Sequence, residues 1–101
     1  MSFKPIVFFF LFLMLAQQSN AQKAFLSGVV KDEQGRGLEL VTVGVVGTAN
    51  GTTTKANGSY ELVLQAGKKI TIVFKLLGYK EERKIVTLQA GEKKQLDVVV
   101  H

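Results

Sequence analysis

Turn signals recur at short intervals from residue 32 onward and separate short runs rich in valine, isoleucine, threonine and leucine. The signals are the segment 32–35 and the glycine-containing pairs at 50–51, 57–58, 66–67, 77–78 and 90–91. This spacing is typical of an all-β sandwich or barrel. Because residues 22–101 show no sustained helical spacing of apolar side chains, we expect strands and no helix in that range.

Within the runs, apolar and polar residues alternate, and this period of two allows each strand to bury one face. We predict seven strands, at 25–31, 40–46, 52–55, 59–65, 69–76, within 80–88 and at 94–100. The Asn-Gly pairs at 50–51 and 57–58 supply the positive φ angles that tight hairpin turns need. They enclose the short polar third strand, which we place at a sheet edge. Since no strand follows a helical crossover, we expect antiparallel pairing.

The first twenty-one residues have a different character from the rest of the chain. Lys4 precedes an unbroken apolar run of eleven residues at 6–16, which is short of the ~20 residues that span a bilayer as a helix. Small residues, Ser19 and Ala21, follow at the spacing that signal peptidase requires. We predict a secretory signal peptide at 1–21, cleaved between Ala21 and Gln22. The mature domain, 22–101, would be exported and would not span a membrane.

The residue inventory narrows the chemistry that this chain can perform. It has no cysteine and one histidine, His101, which argues against disulfides, thiol nucleophiles, histidine-based triads and multi-histidine zinc sites. Glu81 and Glu82 are neighbours on a predicted strand and should point to opposite faces. Asp32 and Glu33 lie in a turn, where aspartate commonly binds its own backbone; a weak Ca²⁺ site there is a minor alternative, because the spaced oxygen ligands of a loop site are absent. We predict no catalytic residue, cofactor or metal.

Basic residues outnumber acidic ones by 13 to 8, for a formal charge of +5. They are dispersed along the sequence and interrupted by glutamates. Nucleic-acid binding would require a concentrated basic stripe with stacking aromatic side chains. We therefore expect a solvated surface and no nucleic-acid partner.

A series of short motifs extends over about fifty residues in a fixed order. They are Leu26-Ser27-Gly28-Val29-Val30-Lys31-Asp32, Gly35, Gly37-Leu38, Val41-Thr42-Val43, Gly47-Thr48, Asn50-Gly51-Thr52-Thr53-Thr54, Asn57-Gly58-Ser59-Tyr60, Leu62 and Leu77-Gly78-Tyr79-Lys80. Together they resemble the carboxypeptidase-regulatory-like domain family. The resemblance implies a prealbumin-like (transthyretin-like) fold, here a seven-stranded antiparallel β-sandwich following the signal peptide.

The common setting of this family suggests a role. With such a signal peptide, it forms the N-terminal extension of TonB-dependent outer-membrane receptors of the SusC/RagA type, in the periplasm ahead of a plug and barrel. These have no counterpart within the 101 residues. The resemblance thus implies a non-enzymatic periplasmic or envelope accessory domain that contacts an envelope protein or a receptor plug and barrel. Strand addition could occur at the predicted edge formed by Thr52, Thr53, Thr54 and Lys55.

Two other functions are weighed against this one. A stand-alone secreted sandwich could bind a glycan or surface ligand through the polar segment 50–57, although that segment has no aromatic platform. A metallocarboxypeptidase-associated activity is the least favoured, because the zinc ligands are missing.

The segment 96–100, Leu-Asp-Val-Val-Val, has two interpretations. It resembles the segment that leads into the plug of such receptors, and it also alternates as a seventh strand would. We favour the strand.

Overall fold

A computed structural model describes residues 22–101, and every regular element in that range is a strand. The strands are β1 (Lys23–Lys31), β2 (Thr42–Val45), β3 (Gly51–Thr53), β4 (Ser59–Gln65), β5 (Lys69–Lys75), β6 (Glu82–Thr87), β7 (Lys93–Gln95) and β8 (Val98–Val99). The all-β class is confirmed. The count is eight strands instead of seven, because the predicted last strand is interrupted. The predicted signal peptide, 1–21, lies outside the described residues.

The strands form two four-stranded sheets. In one, the order is β4–β1–β7, with β8 also paired to β1, and in the other it is β3–β2–β5–β6. Most neighbours are antiparallel, as predicted, but β7 and β8 run parallel to β1. The chain passes through the second sheet between β1 and β7, and this passage supplies the long connection that a parallel pair needs without a helix.

The core lies between the sheets and is built by the predicted alternation. Both sheets contribute buried side chains to one cluster: Ala24, Leu26, Val30, Val41, Val43, Tyr60, Leu62, Leu64, Ile70, Ile72, Phe74, Val86, Leu88, Val98 and Val100. At its centre the rings of Tyr60 and Phe74 meet edge to face, with centroids 5.6 Å apart and planes at 75°. This geometry is a favourable one for two aromatic rings.

The interruption between β7 and β8 has an identifiable cause. Phe25 N–H donates to the carbonyl of Glu92. If the parallel ladder continued with the same repeat, Val29 N–H would donate to the carbonyl of Leu96. That carbonyl instead accepts the Tyr60 hydroxyl proton at 2.6 Å. Val29 N–H donates to the Asp97 carboxylate at 2.9 Å in place of the Leu96 carbonyl. The register with β1 is the same on both sides of the interruption, so β8 continues the path of β7.

The start of β2 also differs from the prediction, which began that strand at residue 40. Leu40 has a φ of 63° and is the one non-glycine residue with positive φ in the described range. Its N–H donates to the Thr54 carbonyl, and Thr54 N–H donates to the Val41 carbonyl. Two residues therefore oppose one, which is a β-bulge, and regular pairing begins at Thr42.

The two Asn-Gly pairs have different roles in the structure. Gly58 has a φ of 86°, and its N–H closes a turn onto the Lys55 carbonyl, as the sequence predicts. In the other pair, Gly51 begins β3, and the positive φ lies earlier, at Gly47 with 82°. The loop between β2 and β3 therefore turns before Asn50, and the Asn50 side chain is available to donate to the Val63 carbonyl at 2.8 Å.

Candidate interaction surface

The two buried polar side chains of the described region support loops. Asp32 accepts the N–H groups of Gln34 and Arg36 at 2.9 Å each, which confirms that it binds its own turn. The Thr54 hydroxyl donates to the Leu38 carbonyl at 2.5 Å and accepts Val41 N–H at 2.9 Å. Within residues 22–101, every buried side-chain nitrogen or oxygen has a hydrogen-bond partner. These groups are therefore engaged in holding the fold.

Glu81, just before β6, and Glu82, the first residue of β6, diverge as strand geometry predicts. Glu81 lies between Arg83, at 2.7 Å, and Lys75, at 3.4 Å, while Glu82 pairs with Lys84 at 3.5 Å. The hydrogen bond from Arg83 lowers the pKa of Glu81, and the Lys75 charge acts in the same direction. Each carboxylate faces its own basic neighbours, so the two do not converge on a shared ligand.

Other chemistry-bearing residues are dispersed over the domain. Across residues 22–101, no three His, Cys, Asp or Glu side chains gather in a way that could hold a metal ion. The His101 ring lies 2.7 Å from the Glu33 carboxylate, and both groups are exposed. This contact joins the end of the described chain to the first turn. No helix in the same range is long and apolar enough to cross a membrane.

The predicted strand-addition residues lie at one edge of the second sheet. Thr52 and Thr53 belong to β3, which has only β2 as a neighbour in its sheet. Thr54 is buried in the bulge described above, and Lys55 N–H donates to the Ser59 carbonyl of β4. Strand addition at this edge stays a prediction, and the main chain that it would use is short.

The opposite edge of the same sheet is β6, twice as long as β3, and sequence reasoning did not single it out. Ile85 lies at its middle with 61% of its surface exposed. An exposed apolar pair, Phe25 and Val63, lies on the outer face of the other sheet, where the two residues are direct cross-strand neighbours. Alternation predicted which faces are buried, but it does not reveal which strand lacks a neighbour.

Comparisons with known proteins define the relationship of this fold to others. A chain in the complex of type II cohesin and X-dockerin from Acetivibrio cellulolyticus, in its N-terminal interface mutant, matches with a TM-score of 0.63 and 18% identity, covering 76% of this chain and 56% of that one. The C-terminal interface mutant of the complex gives 0.62 and 18% over the same shares. The Bacillus anthracis TIE protein gives 0.62 and 20%, covering 78% of this chain and 16% of that one.

These similarities show a shared fold. This chain spans about half the length of the Acetivibrio chain and a small part of the TIE protein. No curated protein matches it. The model of the CarboxypepD_reg-like domain matches residues 26–101, which is the whole sandwich apart from the first residues of β1. The fold is that of β-sandwich domains. The chain belongs to the CarboxypepD_reg-like domain family.

Proposed function

We propose that this protein is an exported, non-enzymatic accessory domain of the bacterial envelope that works by contacting another protein. Its nearest functional analogue is the N-terminal extension of a TonB-dependent outer-membrane receptor. The family match over residues 26–101 carries the proposal. The hydrogen bonds of the polar side chains support a non-enzymatic role, because Asp32, Thr54 and Tyr60 all bind main-chain atoms of the domain itself.

Export rests on the predicted signal peptide and is tested by the mature N-terminus. Expressed with residues 1–21 in a Gram-negative host, the protein should appear in the periplasmic fraction beginning at Gln22. Ala21→Arg should block cleavage, because a small residue is needed before the scissile bond. If the wild-type protein is recovered from the cytoplasm with Met1 still attached, the proposed export is wrong.

The contact role is tested in cells of the source bacterium. A photo-crosslinking residue is placed at one exposed position on each surface, at Thr53, Val63 or Ile85. The matched control is Ile72, which is fully buried. We expect at least one exposed position to give a covalent adduct with an envelope protein and Ile72 to give none. If every exposed position behaves like Ile72, the contact role is wrong.

The receptor setting is tested separately by the DNA that follows codon 101. A reading frame for a plug and barrel, continuous or immediately adjacent, supports the receptor analogy. Unrelated neighbouring genes would favour a free-standing accessory protein and remove the receptor from the proposal.

A further inference from the structure

The main chain of β6 presents a row of unpaired groups to solvent. Val46 N–H donates to the Thr71 carbonyl, so odd-numbered residues of β5 face β2 and its even-numbered residues face β6. The register pairs Ile72 with Lys84, and therefore the main-chain groups of Arg83, Ile85 and Thr87 point away from the sheet. None of them is hydrogen-bonded to another residue of the described range 22–101. We call this row the β6 edge.

The other long edge strand, β4, is better covered. Its outward carbonyls at Ser59 and Val63 accept Lys55 N–H and the Asn50 side chain. β6, with six residues, is twice as long as β3. An exposed edge of this length, with an apolar side chain at its middle, is a template for another strand.

The positive charge of the domain is concentrated on the hairpin that contains this edge. Residues 68–87, which contain β5 and β6, carry six basic and two acidic side chains. The remaining residues of 22–101 carry six of each. The entire excess of positive charge therefore lies on the β5–β6 hairpin. The two acidic side chains there, Glu81 and Glu82, pair with Lys75, Arg83 and Lys84.

The charge selects among occupants of the edge. In an antiparallel pair centred on Ile85, a second copy of β6 would oppose Arg83 with Thr87 and Lys84 with Val86, so neither cation would gain an anionic partner. The pair would also bring together two hairpins of the same positive charge, which repel each other. An anionic lipid surface could neutralise the positive charge but could not form a strand ladder with the main-chain groups of β6. An acidic strand satisfies both features, since carboxylates would face Arg83 and Lys84 and an apolar side chain would cover Ile85.

We propose that the β6 edge binds an extended acidic segment of a partner protein as an additional strand, which gives the contact role proposed above a surface and a chemistry. Main-chain hydrogen bonds would supply affinity, and the side chains along β6 would supply selectivity. In antiparallel register, the segment places an apolar residue opposite Ile85 and acidic residues opposite Lys84 and Arg83.

The probe is a blocked hexapeptide, Thr-Val-Val-Glu-Glu-Thr, which follows this register from Thr87 to Glu82. The same peptide with two lysines in place of the glutamates is the charge control. Binding to the exported protein is followed by amide NMR shifts. We expect the acidic peptide to shift β6 resonances and to bind about tenfold more tightly than the basic one, equivalent to about 1.4 kcal/mol.

Matched proline variants separate the two edges. Ile85→Pro removes an outward N–H and leaves the β5 ladder bonds intact, because proline is tolerated on the solvent side of an edge strand. Thr53→Pro does the same at β3. The acidic peptide should lose about tenfold in affinity with Ile85→Pro, as expected for one hydrogen bond at such an edge, and should bind Thr53→Pro like wild type.

Charge reversal gives an independent test that does not depend on a proline. Arg83→Glu should reverse the preference between the acidic and basic peptides, whereas Lys55→Glu beside β3 should not. Binding that survives both Ile85→Pro and Arg83→Glu would overturn the proposal. Absence of acidic-peptide binding, or binding only to vesicles of anionic phospholipid, would also overturn it.

These outcomes differ from those that test the contact role itself. A cellular adduct at Val63 or Thr53, together with an inert β6, would retain the contact role and reject this edge. If the peptide binds at β6 but the protein gives no adduct in cells, the β6 edge is retained and the contact role is rejected.

Discussion

The hydroxyl group of Tyr60 donates a hydrogen bond of 2.6 Å to the main-chain carbonyl of Leu96. The bond ties β4 to the interruption between β7 and β8, and it uses the acceptor that a regular ladder would offer to Val29. The Asp97 carboxylate compensates by accepting Val29 N–H. A buried tyrosine and an exposed aspartate thus jointly determine how the last part of the chain runs beside β1.

The first prediction concerns the stability of this arrangement at high pH. Burial raises the pKa of Tyr60 from 10.0 to about 12, and the Asp97 charge adds to the rise. Because the folded-state pKa exceeds the unfolded one, the stability contribution is complete below pH 10 and decreases as the pH rises towards 12. A shift of this size corresponds to at most about 3 kcal/mol, because solvent screening reduces the effect. Urea denaturation at a series of pH values measures it.

Tyr60→Phe is the control for this pH effect. It removes the ionisable group, so the loss attributable to Tyr60 should disappear, while the general effect of lysine deprotonation remains. Phenolate absorbance in a Tyr79→Phe background reports the ionisation of Tyr60 directly. If wild type and Tyr60→Phe lose stability in parallel above pH 10, the buried hydroxyl is not the cause.

The second prediction concerns the space that Gly28 provides for the Leu96 carbonyl. A Cβ atom added to Gly28 would lie 1.9 Å from that oxygen, whereas one added to Gly44 would meet its nearest neighbour, Val73, at 3.8 Å. Gly28→Ala should lower the free energy of unfolding by ~3 kcal/mol, as overpacking does. Gly44→Ala should have little effect. Chemical denaturation measures the free energy of unfolding of the two variants. Equal values would refute the close approach of the Leu96 carbonyl to Gly28.

The third prediction concerns the bulge at the start of β2. Thr54→Val preserves the shape of the side chain but leaves Val41 N–H and the Leu38 carbonyl without the hydroxyl that each now contacts. Unpaired buried groups of this kind cost about 1–3 kcal/mol. The exposed neighbour Thr53 allows a matched control, because Thr53→Val makes the same chemical change on the surface. Thermal unfolding should separate the two, and similar midpoints would contradict the role of the hydroxyl.

Alternation predicted the buried faces because it is a local property of each strand. Tyr60, Leu62 and Leu64 are buried as expected, and so are Ile70 and Ile72. Burial needs only a period of two and does not depend on which strand is the neighbour. The family motifs added the sandwich class, which the comparisons confirm.

The features that were not predicted depend on contacts distant in sequence. Leu40 is an unusual residue for positive φ, and its bulge is held by Thr54, fourteen positions later. The interruption after β7 results from Tyr60, thirty-six positions before Leu96. The β6 edge was missed because strand order is not encoded in alternation. The charge excess in residues 68–87 is visible in the sequence and could have indicated it.

The last prediction concerns the centre of the core. Phe74 has no exposed surface and meets the ring of Tyr60 edge to face. Phe74→Ala should therefore lower the free energy of unfolding by ~3–5 kcal/mol, through lost apolar burial and the cavity left behind. Leu77 is also large and apolar but is 99% exposed, so Leu77→Ala should change stability by less than ~0.5 kcal/mol. Urea denaturation of both variants measures the difference. A nearly neutral Phe74→Ala would mean that β5 buries its other face, and with it the assignment of Arg83 and Ile85 to the outer surface of β6 would fail.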